Sequence, residues 1–402
     1  MLTFNYKARD LNTKKVIHSS IQADSEAMAA KSLMSQNIIP LEITPVAEGG
    51  IFSNLRSNVT NKDLVIFTRQ LATMLNAGLP LSQSMSTVAE QTNSRSLKTI
   101  VGSVINNIQG GSSLSESLAK YPKVFNNFYI ALVKAGETSG TLDKSLERLA
   151  NQQEHDANML SKIRGAMIYP AIVLAVIVAV VIFMLVSLVP QVSNLYEEMG
   201  RSLPLQTVIL VGIERFMVKF WWIIAVATVS LILFLRHFIN TPSGRKMWDT
   251  IKLNIPMFNP LFRKLYMARF SRTSQTLLAS GVSIIETLKI SGDAVNNVVV
   301  KEEILQGIDK VKNGKPLSEA LSNQDYILKF VPQMIKIGES SGGIDAMLGK
   351  VADYYDKEVD DAIAAIQTLI EPVLMVIMAF MIGFIVLAVL LPIYELSSVT
   401  VL

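Results

Sequence analysis

The chain has 402 residues, half of them apolar and only 17% charged, and this composition favours an integral membrane protein over a soluble one. It contains no cysteine, which excludes disulfides and thiolate metal sites, and its three histidines are too scattered to suggest a metal cluster. The formal net charge of +4 fits the basic flanks of membrane helices, so it gives no reason to expect a nucleic-acid partner.

Residues 1–46 are predicted to form a small α+β cytoplasmic module. Polar and apolar residues alternate as in strands in three segments, and a capped helical pattern separates the second segment from the third. These elements are expected at residues 3–8, 15–23, 24–36 and 38–45. The N-terminus lacks an apolar run followed by a cleavage site, so it does not indicate a signal peptide. Residues 47–59, which include Gly49 and Gly50, are the predicted linker.

Residues 60–164 carry the start and stop signals of short helices and are predicted to form a first cytoplasmic helical bundle. Thr60 is typical of a helix start and Gly78 of a C-terminal cap. Ser113-x-x-Glu116 has the pattern of a capping box, and its counterpart in the second copy begins with Pro316, which is expected in the first turn of a helix.

A long helix is expected at the end of this bundle. After Thr141 no turn signal occurs before Pro190, which predicts one helix of about 48 residues and about 70 Å that continues through the bilayer. Kinks are expected at the prolines in or near the membrane, because proline removes a helix hydrogen bond. These prolines are Pro170, Pro190, Pro372 and Pro392.

Three uncharged apolar segments are each suited to cross a hydrocarbon core of about 30 Å. Basic residues flank one set of ends more than the other, eight against three, so the positive-inside rule predicts a cytoplasmic N-terminus and a periplasmic C-terminus. The order is a transmembrane helix, a periplasmic loop, a second transmembrane helix, a second cytoplasmic bundle, a third transmembrane helix and a periplasmic tail. Their predicted bounds are residues 165–190, 191–218, 219–239, 240–371, 372–394 and 395–402.

An internal repeat is the strongest signal in the sequence. Phe67-Thr68-Arg69 recurs as Phe270-Ser271-Arg272 at an offset of 203, and after a one-residue deletion the offset becomes 202. Because the repeat includes its membrane helix, the first and third spans should cross in the same direction. The predicted fold is therefore an all-α membrane protein with two repeated cytoplasmic helical bundles, three transmembrane helices and a small N-terminal α+β module.

A second repeated motif joins two helices in each copy. Residues 136–140 read Gly-Glu-Thr-Ser-Gly, and residues 338–342 read Gly-Glu-Ser-Ser-Gly. We expect a helical-hairpin turn in which Gly136 and Gly338 take the left-handed backbone conformation. The alternative is a docking surface in which Glu137 and Glu339 face a basic partner.

Arg69 and Arg272 present the same choice, between pairing with acidic groups inside each bundle and contact with a partner. The candidate residues for repeat structure or partner binding are Arg69, Gly78, Glu116, Gly136, Glu137, Ser139, Gly140, Arg272, Gly281, Glu319, Gly338, Glu339, Ser341 and Gly342.

Enzyme motifs are absent from the sequence. Gly314-Lys315 and Gly349-Lys350 lack the other residues of a phosphate-binding loop, and no His-Glu-x-x-His occurs. Residues 338–342 match Gly-x-Ser-x-Gly, but they join two helices and no histidine follows Ser340. We therefore expect neither catalysis nor a cofactor or metal.

The doubled Phe-x-Arg and Gly-Glu-x-Ser-Gly motifs, Ile168-Tyr169-Pro170 and the loop from Met199-Gly200 to Leu203-Pro204 resemble the type II secretion F family, which includes type IV pilus platform proteins. The resemblance implies a multi-pass bacterial inner-membrane protein that forms homo-oligomers and associates with other inner-membrane assembly proteins. It also implies coupling of a cytosolic hexameric assembly ATPase to the addition of pilin or pseudopilin subunits.

The competing hypothesis is a membrane transporter or channel that uses the three spans. Ionisable residues are missing from the span interiors, whereas proton and ion pathways usually contain them. The sequence therefore favours the platform over the transporter.

Overall fold

The computed structural model describes residues 2–10, 16–23, 38–45, 59–198, 200 and 205–399, and positions 28, 30, 32 and 34. It divides into two compact units, Met1–Asn58 and Val59–Leu402. The predicted linker at residues 47–59 lies outside the described residues except for its last position, and so does the end of the predicted tail, residues 400–402.

The first unit contains a three-stranded antiparallel sheet. Its strands are β1 (Leu2–Asp10), β2 (Val16–Ala23) and β3 (Ile38–Pro45), in the order β2-β1-β3. The described positions between β2 and β3 are helical. The strands lie where the alternating pattern predicts them, and the α+β module is confirmed.

Two helical bundles of matching helix order form the second unit. The first repeat contains α1 (Asn61–Asn76), α2 (Leu81–Gln91), α3 (Arg95–Gln109), α4 (Leu114–Ala119), α5 (Asn127–Ser139) and α6 (Leu142–Glu198). It is followed by α7 (Leu205–Ile239) and α8 (Pro242–Asn254). The second repeat contains α9 (Asn259–Leu278), α10 (Ile284–Val295), α11 (Val298–Lys312), α12 (Leu317–Ser322), α13 (Phe330–Ser341) and α14 (Ile344–Val399).

Each bundle is built on its own apolar core, and equivalent residues occupy the centres. Phe67 on α1 and Phe270 on α9 are both 1% exposed. Amphipathic short helices place such residues on one face, and burying that face supplies most of the stability of helices this short. The repeat seen in the sequence is therefore a repeat of packing as well.

The helix termini follow the predicted chemistry with two departures, at the starts of α4 and α12. Thr60 and Asp63 form a full capping box at the start of α1, whereas at α4 only the Ser113 half of the box is formed. Gly78 and Gly281 have φ of +83° and +82°, as expected after a helix C-terminus. Pro316, expected in the first turn of its helix, is instead the N-cap residue of α12.

Three helices are long and apolar enough to cross a membrane, namely α6, α7 and α14. The helix predicted to run from Thr141 to Pro190 extends to Glu198 and has 57 residues, which corresponds to about 86 Å. Helix α6 continues through Pro170 and Pro190, and α14 continues through Pro372 and Pro392. A local bend at these prolines stays a prediction.

The segment predicted as a periplasmic loop, residues 191–218, is mostly helical. Helix α6 occupies its beginning, and α7 starts at Leu205 and has non-helical backbone angles only at Phe220. Leu210 and Val211 on α7 pack against Leu185 and Val189 on α6. This packing explains the difference, because an apolar face that packs against a neighbouring helix stabilises helical structure.

Candidate functional site

The two long helices meet on the side of the bundles, beside the first helix of the second repeat. Nε2 of His155 on α6 lies 3.1 Å from Oδ2 of Asp356 on α14. Seven residues further along α6, Nζ of Lys162 lies 2.8 Å from Oδ2 of Asp360. Both contacts advance in the same direction along the chain, so α6 and α14 run parallel. We call this contact between the repeats the seam.

Apolar residues close the seam towards the membrane. Met159 and Ala166 on α6 share a buried cluster with residues of α9 and α14. The members from α9 and α14 are Leu261, Leu265, Val359, Ile363 and Ile366. The seam therefore combines burial of apolar surface with ion pairs between the two copies.

Each repeat also carries an ion pair between its first helix and its long helix. Arg69 donates from Nε and Nη2 to the two carboxylate oxygens of Glu154, both at 2.6 Å. Arg272 donates from Nη2 to Asp356 at 2.5 Å and to Asp353 at 2.6 Å. Glu154 and Asp356 are equivalent at the offset of 202. The two arginines thus pair inside the bundles, as one of the two sequence hypotheses predicts.

The Asp356 carboxylate belongs both to the ion pair inside the second bundle, with Arg272, and to the seam, with His155. Burial by itself raises the pKa of Asp356, but the hydrogen bonds from His155 and Arg272 outweigh it and hold the pKa below its usual range. The same hydrogen bond from His155 to Asp356 raises the pKa of the imidazole. Burial raises the pKa of the neighbouring Asp156. The first repeat is therefore held to the second partly by a histidine whose protonated form is favoured by this contact.

The two glycines that open the repeated turn motif are helical, and the prediction of a left-handed conformation for them is wrong. A Cβ on Gly136 would lie 2.6 Å from Oγ of Ser145 and 3.0 Å from Cα of Leu142. A Cβ on Gly338 would lie 2.7 Å from Cα of Ile344. Both positions need glycine because the following helix passes too close for a side chain, and not because of the backbone angles.

The left-handed residue in each motif is the last one. Gly140 has φ of +70° and Gly342 has φ of +75°, and each terminates its helix. The preceding serines, Ser139 and Ser341, donate their hydroxyls to the backbone carbonyls of Ala135 and Ile337 within the same helix. These residues therefore stabilise the end of the helix through contacts within the motif and its own helix.

The motif carboxylates bind the start of the short fourth helix of each repeat. Glu137 accepts hydrogen bonds from the backbone N–H groups of Leu114 and Ser115. Glu339 accepts them from the backbone N–H and the hydroxyl of Ser318. A carboxylate at a helix N-terminus satisfies N–H groups that have no partner within the helix. These contacts favour the structural interpretation of Glu137 and Glu339 over the docking one.

Glu116 and Glu319 remain on the surface. The backbone N–H of Glu116 donates to the hydroxyl of Ser113 at 3.2 Å. The Glu319 carboxylate lies 2.7 Å from Nζ of Lys315, and this hydrogen bond lowers its pKa. Within the described residues, no group of three or more His, Asp or Glu side chains is arranged to hold a metal ion.

Sequence reasoning finds the arginines but not the seam. The offset makes Glu154 equivalent to Asp356, which could have identified the acid that each arginine binds. His155 stands where the second repeat has Lys357. Equivalence between copies does not reveal which face of one copy meets the other, so the contact with Asp356 appears only in the structure.

Comparison with known proteins agrees with the repeat. The profile of the family described as "Type II secretion system (T2SS), protein F" matches residues 67–190 and again residues 270–392. That of the "Type II secretion system protein F, N-terminal domain" matches residues 1–44. The two larger matches correspond to the two repeats, displaced by the same 203 and 202 positions.

Curated relatives cover nearly the whole chain. The type IV pilus assembly protein PilC of Thermus thermophilus is 37% identical over 98% of both chains. PilC of Myxococcus xanthus is 35% identical over 93% of this chain and 90% of its own. The type II secretion system protein F of Vibrio cholerae is 31% identical over 99% of both chains.

Proposed function

Because the chain belongs to the type II secretion system protein F family, we propose that it is the inner-membrane platform of a type IV pilus or type II secretion machine. In this role it couples a cytosolic hexameric assembly ATPase to the addition of pilin or pseudopilin subunits. The chemistry of ATP hydrolysis belongs to the partner, and the platform supplies a path for displacement. Self-association and contacts with other inner-membrane assembly proteins are part of the proposal.

The observation that carries the proposal is the continuity between bundle and membrane. Leu146 and Leu149 at the start of α6 are fully buried in the first bundle, and the same helix continues without interruption to Glu198. Helix α14 repeats this arrangement from the second bundle to Val399. A continuous helix transmits displacement only while its hydrogen-bond ladder is intact. A push on either bundle would therefore reach the membrane through a rigid element.

The orientation is also proposed from physical grounds. With the basic flanks of the spans inside, both bundles and the N-terminus are cytoplasmic and the C-terminus is periplasmic. Helices α6 and α14 then cross in the same direction, and α7 returns the chain between them. Both bundles become available to one cytosolic partner.

The test weakens the helices without changing their register. Ala157 and Asn158 are exposed on α6, beyond the Arg69–Glu154 pair, and Ala364 and Ala365 are exposed on α14. Ala157→Gly should weaken α6 by about 1 kcal/mol, and Asn158→Gly by less, because asparagine is itself a poor helix former. We expect normal abundance and normal co-purification with the ATPase, but few or no filaments. Adding Ala364→Gly and Ala365→Gly should abolish the remainder.

The matched control is Asn158→Ala, which removes the same side chain but keeps a strong helix former. It should assemble filaments normally. Normal assembly by the glycine variants would disprove transmission through the helices. Absence of the ATPase from the purified wild-type protein, together with solute flux in liposomes, would favour the transporter instead.

A further inference from the structure

The contact between the repeats within one chain is directional. The first repeat contributes α5 and α6, with Asn127 donating to Oδ2 of Asp293 at 3.2 Å. Arg148 donates to the carbonyl oxygen of Ala279 at 2.7 Å, at the C-terminal end of α9. The second repeat contributes the end of α9 and α10, whose Leu277 and Ile290 are buried against the core of the first. We call the surface on α5 and α6 the donor surface, and the surface on α9 and α10 the acceptor surface.

Each repeat therefore leaves one equivalent surface unused within the described part of the chain. The donor surface of the second repeat lies on α13 and the start of α14, where Lys329 and Lys350 are exposed. The acceptor surface of the first repeat lies on the end of α1 and on α2, where Asn76 and Glu90 are exposed. Helices α2 and α13 form no extended packing contact with each other in this chain. The contact is thus heterologous, with a free end on each repeat.

We propose that the free donor surface of the second repeat docks onto the free acceptor surface of the first repeat in a neighbouring copy of this chain. This inference deepens the proposed self-association by naming its surfaces. It does not depend on the identity of the ATPase or of the assembled subunit.

Charge complementarity supports this occupant. At the offsets of 202 and 203, Asn127 and Asp293 correspond to Lys329 and Glu90, so a neutral donor becomes a cation opposite a carboxylate. Lys350 replaces Arg148 and would face the C-terminal end of α1, which favours a cation. Opposite charges on two surfaces that would meet fix the register of the contact.

The long helices extend this complementarity. His155 and Asp356, which meet in the seam, correspond to Lys357 and Glu154. Lys357 is exposed, and the side chain of Glu154 is 38% exposed although it pairs with Arg69. Asp356 shows that a carboxylate bound by the bundle arginine can accept a second cation from the other repeat.

An apolar contact is also available on the free acceptor surface. Leu79, which is 40% exposed, occupies the position of Val282, and Val282 packs against the core of the first repeat. Thr87 stands at the position of the buried Ile290. The apolar part of the contact is therefore smaller between chains than within one.

Other residues of the seam have no matching equivalents on the two free surfaces. Their absence limits the strength of the proposed contact between chains. Lys162 and Asp360 correspond to Ala364 and Asn158, so this ion pair has no equivalent. The buried Val359 and Ile363 correspond to Ala157 and Ser161. The contact between chains would rest mainly on ion pairs at the surface. It should therefore be weaker than the contact within a chain and weaken further as salt screens the charges.

The geometry allows such contacts to continue within one membrane. Helices α6 and α14 run parallel, so the operation that relates the repeats preserves the direction of crossing. Applying it again between chains keeps every copy in the same orientation in the bilayer. Heterologous contacts of this kind form rings when the rotation closes.

Cysteine cross-linking tests the contact directly, because the chain has no cysteine of its own. Two full-length chains with different tags are co-expressed, one with Glu90→Cys and the other with Lys329→Cys. Membranes are then treated with a short bismaleimide. We expect a product that carries both tags, and a several-fold loss of this product at high salt.

Two further pairs are the matched controls. Asn127→Cys with Asp293→Cys in one chain should give an intrachain link that is insensitive to salt and shows that the fold is intact. Glu90→Cys in one chain with Lys312→Cys in another places the second thiol on an exposed part of α11, outside the donor surface, and should give little two-tag product. Charge reversal by Glu90→Lys should reduce oligomer size, and adding Lys329→Glu should restore it.

Failure of the Glu90 and Lys329 pair, in membranes where the intrachain link forms, would overturn the inference. Equal product with Lys312→Cys would overturn it as well, since the contact would then be collisional. An oligomer that forms without this cross-link would place self-association on another surface. A cross-linked protein that does not bind the ATPase would instead contradict the proposed function and leave the inference standing.

Discussion

The two repeats have the same helix order, but they use an equivalent carboxylate differently. In the first repeat Glu154 binds only Arg69 among the described side chains, and both partners are about one third exposed. In the second repeat Asp356 is 17% exposed and binds both Arg272 of its own bundle and His155 of the other. The Asp356 carboxylate of the second repeat therefore contributes both to its own bundle and to the contact with the first repeat. Equivalent substitutions should lower the stability of the protein more in the second repeat than in the first.

The glycines of the turn motif also differ between the repeats, in the atoms that a side chain at each position would contact. The Cβ of an alanine at Gly136 would meet mainly the side chain of Ser145, whereas at Gly338 it would meet the backbone of Ile344 and Gly343. A side chain can be removed by a second substitution, but a backbone segment has to move. A second substitution can therefore be expected to rescue an alanine at Gly136, but not an alanine at Gly338.

The largest effect is expected at these glycines. Gly338→Ala should destabilise the protein by about 3 kcal/mol and Gly136→Ala by about 2 kcal/mol, in the range of overpacked cores. Thermal denaturation of the purified protein in detergent measures both. Adding Ser145→Gly should recover part of the Gly136→Ala loss, because it removes the nearest atoms at a helix-propensity cost below about 1 kcal/mol. An equal loss in both repeats would contradict the comparison.

The bundles could be predicted from sequence because their signals are local and occur twice. Thr60, Gly78 and Gly281 mark helix ends by their own chemistry, and the offset places Phe67 and Phe270 in equivalent cores. The sequence pattern places Gly136 and Gly338 at the correct turn, but the left-handed conformation that it predicts for them is wrong. The close approach of a following helix leaves no local signal beyond the glycine itself.

Two other features lay beyond local patterns. The start of α7 at Leu205 depends on packing against Leu185 and Val189 of another helix. The seam between His155 and Asp356 depends on how one whole bundle lies on the other. Repetition predicts what is equivalent, whereas contact between repeats is set by the residues that differ.

The second-largest effect is a difference in stability loss between substitutions of the two bundle arginines, Arg272 and Arg69. Arg272→Met should cost about 2 kcal/mol, because it leaves the largely buried Asp356 with only His155 as a charged partner. Arg69→Met should cost about 1 kcal/mol or less, since water can reach the exposed Glu154. Denaturation midpoints of the two variants would rank them.

The control for this pair removes the carboxylate along with the cation. Arg272→Met combined with Asp356→Asn should be more stable than Arg272→Met alone, because no uncompensated charge is left. The equivalent addition of Glu154→Gln to Arg69→Met should change little. A larger loss from Arg69→Met than from Arg272→Met would reverse the roles assigned to the repeats.

The smallest effect is a dependence on pH that only the first repeat contributes. The pKa of His155 is raised by its hydrogen bond to Asp356, so its contribution to stability is complete below the ordinary value of about 6.5. That contribution is lost as the pH rises through the raised value. It should stay below about 1 kcal/mol, because the imidazole is 38% exposed and solvent screens the pair.

A single substitution can remove this dependence. The other charged groups nearby are Asp156, whose pKa is raised by burial, and the guanidinium groups of Arg269 and Arg272. His155→Lys places at this position the residue that the second repeat has in Lys357. Lysine keeps its charge well above pH 8. The denaturation temperature of the wild type should therefore be highest below about pH 6.5 and fall as the pH rises through the raised pKa of His155, while that of His155→Lys stays nearly level. If both proteins lose the same amount, the dependence arises elsewhere, and His155 does not hold the first repeat to the second through its charge.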